Sequence, residues 1–259
     1  MTGKKPRIVA IANEKGGVGK TATVVNLSAA LSVEGQKVLV VDMDPQHNTT
    51  NGLGIDVADD NISIYDLITN GNEYKTSDAI CRTRWEKLDL LPSHIDLSGA
   101  EIELVDEEAR ENRLKAVIAQ VADDYDVIIM DTPPSLSLLT INVFAAATEL
   151  LVPCQTHPYA YKALEDLFDT IEDIKEEINP DITISGIIPT FFDQRTRISR
   201  DILERLQTDD RYKDLLYNTA IRMNTTITDS CDKRKPVVFY RKTSYGAQDY
   251  MALAREFIG

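Results

Sequence analysis

NEKGGVGKTATVVN, residues 13–26, decides how this chain is read. An ordinary phosphate-binding loop follows G-x-x-x-x-G-K-[ST]. Gly19, Lys20 and Thr21 fit its end, but Glu14 fills the slot of the first glycine, and Lys15, which the pattern does not ask for, comes next. From Gly16 onward the loop is intact. Gly16, Gly17 and Gly19 allow close approach of the backbone to an anion, and a glycine turn that opens a helix aims several N–H groups and the helix dipole at it. Lys20 supplies a point charge to outer phosphates and Thr21 a hydroxyl for Mg²⁺. With Val18 and Ala22, residues 15–22 form the candidate nucleotide loop, and the pattern they satisfy is K-G-G-x-G-K-[ST].

The flanking sequence gives this loop a setting. RIVAIAN (7–13) is a short β-branched run that leads into it. The segment after it carries Val24, Val25, Leu27, Leu31 and Val33 at helical spacing, with Gly35 as the stop. KVLVVD (37–42), DVIIMD (126–131), ELLVPC (149–154) and ITISGIIPTFF (182–192) read as strands buried on both faces, and LDLLP (88–92) as another. Helical patterns fall at about 97–122, 135–147, 161–178, 199–207 and 247–258. This alternation predicts a doubly wound α/β fold of the phosphate-loop NTPase type: a mostly parallel sheet, helices on both faces, and ligands beyond the carboxyl ends of the strands. The glycine loop, Asp42 and Asp131 all fall on that edge. Asp131, ending an apolar strand, fits an indirect magnesium partner. With no repeat or linker visible, residues 1–259 are expected to form a single domain.

Composition narrows the function classes. A hydrophobic share of 43% and a charged share of 27% are ordinary for a soluble protein. No apolar run reaches the roughly 18 residues of a membrane span. Cys81, Cys154 and Cys231 are scattered and outside any C-x-x-C pair, which argues for a reducing cytosol and against a structural zinc or iron–sulfur site. The formal net charge of −14 discourages nucleic-acid binding, except at two local basic runs, DQRTRISR (193–200) and KRKPVVFYRK (233–242).

KGGVGKT, VVDMDPQHNTTNGLG, DVIIMDTPPSLSLLTINVFAAA, GIIPTFFDQRTRIS and KPVVFYRKTSYGAQDYMALARE resemble, in order and over essentially the whole chain, the ParA family of partition ATPases with a deviant phosphate loop. The first motif is shared with the wider MinD, nitrogenase iron-protein and Mrp-like class; the later ones resemble ParA and the short chromosomal Soj proteins. The resemblance implies ATP and Mg²⁺ as cofactors and slow intrinsic hydrolysis. It makes Lys15 the signature lysine that crosses a nucleotide-sandwich homodimer to the other subunit's phosphates. An extra cation arriving only in the dimer would stabilise charge building on the phosphoryl oxygens, alongside Lys20. It further makes Asp44 the residue that positions the attacking water, Asp42 the first acidic residue of the same segment and a metal partner with Thr21 and Asp131, and Thr190, Arg222 and Asn224 the nucleobase pocket.

The sequence also departs from the family. Ala22 stands where Thr is usual and His47 where Gly is frequent. TAIRMNTTITDS replaces the common TVIPRNVRLSEA, so Arg222 stands at a proline position and Met223 and Thr226 at arginine positions, one of which belongs to the family's DNA surface. The candidate DNA-binding residues are therefore Arg195, Arg197 and Arg200, Arg222, and Lys233, Arg234 and Lys235 ahead of what reads as a final strand.

The function expected is an ATP-dependent partition ATPase, cytoplasmic and nucleoid-associated. Its ATP-bound dimer binds double-stranded DNA without sequence preference, and a ParB-like partner triggers hydrolysis. A related ATPase that positions a protein cargo is the alternative. A MinD-like membrane ATPase fits less well, because GAQDYMALAREFIG carries Arg255 as its only basic residue and its apolar stripe suits a core. An iron–sulfur carrier would need paired cysteines. The strand beginning near Arg7 leaves no room for an N-terminal helix-turn-helix, so operator binding is not expected.

Overall fold

The apolar runs become the strands of one sheet in a computed structural model, which describes residues 5–58, 61–70 and 73–259. The strands are β1 (Arg7–Ile11), β2 (Val38–Asp42), β3 (Cys81–Arg82), β4 (Leu88–Leu91), β5 (Val127–Asp131), β6 (Glu149–Gln155) and β7 (Thr183–Thr190). Their spatial order is β3-β4-β2-β5-β1-β6-β7. Every neighbouring pair is parallel except β3 with β4.

Side chains alternate across each strand, and the two faces carry separate cores. On one, Ala10, Leu39, Val41, Ile128 and Met130 pack with Leu114, Phe144, Leu164 and Leu167. On the other, Val9, Ile11, Val38, Val40 and Ile129 pack with the helix Lys20–Val33 and with the last helix, Tyr245–Ile258. A fully buried Val, Leu or Ile side chain contributes about 1.5–3 kcal/mol. The last helix turns Tyr250, Leu253, Ala254 and Phe257 into this core, each at most 4% exposed, so its stripe faces protein. Among the described residues no helix is long and apolar enough to cross a membrane.

Two expected elements take another form. The single helix over 97–122 is instead Leu97–Glu103, a 3₁₀ turn at Arg110–Asn112 and a second helix Arg113–Ala119. Residues 105–110 are all exposed and give the run no core-facing side chain, while Ala109 sits at φ +51°, which ends a right-handed helix. The final strand expected after Lys235 is a short helix, Val237–Tyr240. Pro236 fixes φ at −53° just ahead of it, and the buried Val237 N–H donates to Asn26 Oδ1 at 2.7 Å. Tertiary bonding thus overrides the β-branched pattern. Short helices at Asn48–Gly52, Ile64–Thr69, Thr76–Ala79 and Thr225–Asp232, and strand β3, add to the elements legible in the sequence.

Candidate functional site

The register of the sheet assembles the site. Ile11 pairs with Asp131, and Asp131 with Asp42, so the glycine loop and both carboxylates leave the sheet side by side. Gly17 (φ +76°) and Gly19 (φ +96°) take left-handed conformations, which explains glycine at both places. Gly16 and Gly17 are exposed, and Val18 is buried, its carbonyl accepting from Thr190 Oγ1 at 2.8 Å. That bond ties the loop to the end of β7.

The two lysines behave differently. Lys20 is 7% exposed, and its Nζ donates to the Asn13 carbonyl at 2.9 Å and the Lys15 carbonyl at 3.4 Å. Desolvation lowers its pKa, opposed by Asp131 and Asp44. The Lys15 backbone N–H donates to Asn13 Oδ1 at 2.9 Å, but its ammonium lies outside the loop, 6.0 Å from the centre of the exposed Tyr159 ring.

Asp42 and Asp131 are both completely buried. Asp131 Oδ2 accepts from Thr21 Oγ1 at 2.9 Å and Thr49 Oγ1 at 2.7 Å, while Oδ1 accepts from the Thr132 N–H. Asp42 Oδ2 accepts from the Thr50 N–H at 2.8 Å and hydroxyl at 2.7 Å. Burial raises the pKa of both carboxyls, and Asp131 raises that of Asp42 further. Asp44 accepts at Oδ1 from the Gln46 N–H, donates its own N–H to Asp42 Oδ1, and its carbonyl accepts from Ser93 Oγ at 2.8 Å. Its carboxylate opens, with Lys20, Thr21 and Ala22, onto a cleft of ≈ 380 Å³.

Beside it lies a second, mostly apolar cavity of ≈ 270 Å³. Thr190, Arg222 and Asn224 all line it, as do Gly19 and Ala22. All three polar side chains are already engaged: Thr190 on Val18, Arg222 on Asp249 through Nε and Nη2, and Asn224 on the following helix. Asn224 Oδ1 caps the helix Thr225–Asp232 by accepting from the Thr226 N–H. Phe191 borders both spaces, at φ +52°, with its ring against Gly19.

Sequence reasoning missed Asn13, Thr49, Thr50, Ser93 and Phe191. The paired threonines directly after DMDPQHN were the available signal for two of them; Phe191 gave none, since its role comes from a backbone turn.

The basic candidates separate into two groups. Arg195 and Arg197 are exposed but pair with Asp193 and Asp201, leaving Arg200 as the member without an ion pair among the described residues. These follow β7, at one end of the sheet. Arg222 is taken up by Asp249. Lys233 pairs with Asp232, and Arg234 reaches the Asn51 and Ile55 carbonyls and Asp56. Lys235 makes no ion pair among the described residues.

Three comparisons bear on this arrangement. A family model described as an AAA domain matches residues 6–184. The sporulation initiation inhibitor protein Soj of Bacillus subtilis (strain 168) is 41% identical over 250 residues, covering 96% of this chain and 97% of that protein. The chromosome partitioning protein ParA of Myxococcus xanthus (strain DK1622) is 39% identical over 254 residues, covering 97% and 88%. Among solved structures, cobyrinic acid a,c-diamide synthase from Mycobacterium smegmatis with bound ADP and magnesium superposes with a TM-score of 0.82 at 36% identity, covering 98% of this chain and 94% of that one. On this near full-length likeness, joined to the deviant glycine loop and the paired carboxylates beside it, the chain belongs to the ParA/Soj family and is an ATPase of that type.

Proposed function

We propose that this ATPase is the DNA-borne carrier of a partition system, working in the cytoplasm on the nucleoid. ATP drives two copies together, the dimer holds double-stranded DNA without reading its sequence, and a ParB-like protein triggers hydrolysis and release. The single observation that carries this reading is the placement of Lys15. Lys20 already sits within the loop, while the second ammonium stands outside it beside Tyr159, where its own loop gives it no partner carbonyl. A cation held there suits a phosphate presented by another copy.

ATP and Mg²⁺ are the substrate and cofactor of this reading. Among the described residues no three His, Cys, Asp or Glu side chains form a metal cage. Thr21 and the carboxylates of Asp42 and Asp131 instead fit an ion that shares its coordination with phosphate oxygens, as magnesium does. Bound there, magnesium would offset charge on the transferring phosphoryl group. Asp131 orients the Thr21 and Thr49 hydroxyls, and Asp44, fixed through Gln46 and Ser93, holds its free carboxylate oxygen toward the cleft to orient water. The buried ammonium of Lys20 faces the same space. A water-positioning carboxylate gives slow turnover, which suits a timer.

Light scattering with ATP and Mg²⁺ tests the reading. Lys15→Ala is expected to stay monomeric while still binding ATP, and to show no hydrolysis stimulated by duplex DNA and the ParB-like partner. A variant that dimerises and hydrolyses as wild type does removes Lys15 from the trans role and the reading with it.

A further inference from the structure

The chain between the helices Leu97–Glu103 and Arg113–Ala119 passes through exposed positions 105–110, and a groove of ≈ 530 Å³ lies against this break. Its other walls are the first turn of the helix Leu138–Ala146 and the end of the helix Ala160–Glu177. The apolar lining is Val105, Leu138, Ile141 and Ile178. The last three are half-buried, packed on the core but not covered by it. Val105 is 55% exposed, and Ile102, three residues earlier, 79%. Three carboxylates, Glu101, Glu111 and Glu177, line the same groove against one cation, Arg110, whose Nη1 donates to the Val105 carbonyl. None of these residues lines the nucleotide cleft or the cavity beside it.

We propose that this groove docks a basic amphipathic helix of another protein, with the helix's apolar stripe on Val105, Leu138, Ile141 and Ile178 and its cations on the glutamates. The inference does not depend on the DNA-carrier reading and adds a second surface to the same ATPase. Single exposed apolar side chains are ordinary, but several gathered in one concavity mark a binding groove. Charge selects the occupant. A second copy docked here about a two-fold axis would bring the same three carboxylates onto themselves, in a chain of net charge −14. Nucleic acid and anionic lipid are repelled by the same groups. A partner that carries cations beside apolar side chains satisfies both halves of the lining. Helices and a turn form the walls, with no strand edge for an extended peptide to pair with, so the fitting ligand is a helix with anchors at i, i+3, i+4 and i+7.

The parts divide the work. Glu101 Oε1 accepts from the Leu139 N–H at 3.4 Å and Glu111 Oε1 from Asn112 Nδ2 at 2.8 Å, so both carboxylates are oriented before a ligand arrives. Neither they nor the exposed Glu177 forms an ion pair among the described residues. They steer a cationic partner and set its orientation, while the apolar floor supplies most of the affinity. Asn142 holds the turn in place, its Nδ2 donating to the Arg110 carbonyl and its Oδ1 accepting from the Leu114 N–H. A wall fixed in advance gives up little ordering entropy on binding.

Fluorescence anisotropy without nucleotide tests it, using a labelled leucine–lysine peptide of about 18 residues, five helical turns, with its leucines on one face. Glu111→Gln with Glu177→Gln should weaken binding roughly tenfold and flatten its salt dependence. Val105→Ser should weaken it about fivefold with the salt dependence kept. These side chains lie at the surface, so the melting temperature should stay near that of wild type. Asp169→Asn with Asp173→Asn removes two exposed carboxylates outside the groove and should change affinity by no more than about twofold. A loss there as large as in the glutamate pair overturns the proposal, because general acidity would then hold the peptide. Equal binding of the same peptide with glutamates in place of its lysines overturns it as well, and so does wild type that binds neither peptide. Wild type that dimerises through this face without ATP, with Val105→Arg restoring the monomer in light scattering, overturns it by assigning the groove to a second copy.

Discussion

The two ends of the cleft are built on opposite principles. At the loop end, charge is buried and every group is held: Lys20 by two carbonyls, Asp131 by two hydroxyls and an N–H, Asp42 by Thr50. At the cavity end the walls are mostly apolar and come from segments near 190, 222–231 and 250, with Arg222 turned onto Asp249. The difference teaches where affinity and where selectivity reside. Buried, preorganised charge gives strong interactions because little dipole reorganisation remains to be done. An apolar cavity contributes in proportion to the surface it covers and discriminates weakly.

Lys20→Ala should produce the largest change. Removing the buried ammonium takes away a charge-assisted bond and strands Asp131 and Asp44 without their nearby cation, so nucleotide affinity should fall on the order of 100-fold. Titration with a fluorescent ATP analogue measures it; a fall below about tenfold would mean that the loop end is not the anchor.

Asp131→Asn sharpens the contrast by separating function from stability. A carboxyl whose folded pKa is raised costs stability at pH values above it, and that cost disappears as pH falls toward the unfolded value. Burial raises Asp131 to about 6 from the ordinary 3.8. The Asn variant, without nucleotide, should therefore melt a few degrees higher at pH 8, corresponding to about 1–2 kcal/mol, with the gain fading toward pH 4. Magnesium-dependent hydrolysis should be abolished at the same time. A melting temperature that drops at pH 8 would show that the hydrogen bonds to Asp131 outweigh its desolvation.

Phe191→Ala should have the smallest effect. The ring packs on Gly19 between the two spaces and is worth about 1 kcal/mol, a roughly fivefold rise in KM with kcat little changed. A change as large as that of Lys20→Ala would erase the distinction between the ends.

The same division governs what the sequence reveals. The glycine loop is legible because its residues are contiguous and each does one thing that only its side chain or lack of one can do. Asp42 and Asp131 are legible because an acid ending an apolar strand has few reasons to be there. The strands β1, β2, β5, β6 and β7 are legible because burial on both faces leaves an unbroken apolar run. Elsewhere the determinants are tertiary. Val237–Tyr240 looks like a strand and is a helix because Asn26, some two hundred residues away, satisfies its first N–H. Arg222 reads as a free cation, and only the fold brings Asp249 to it. The break near Ala109 and the groove beside it likewise depend on backbone conformation and distant packing that no local pattern encodes.

The position of β1 in the sheet has a consequence for how the chain is made. β1 lies between β5 and β6, so the strand that leads into the glycine loop has no neighbour until residues beyond 127 exist. More than a hundred residues separate Ile11 from Asp131, roughly 5–25 s of synthesis at about 5–20 residues per second. Throughout that interval the nascent chain carries β1 and the wholly buried β2 as strands without their central partner, the condition in which exposed edges recruit other chains. The emerging polypeptide thus gains a nucleotide-ready loop late, when β5 zips between β1 and β2 and brings Asp131 against Asp42.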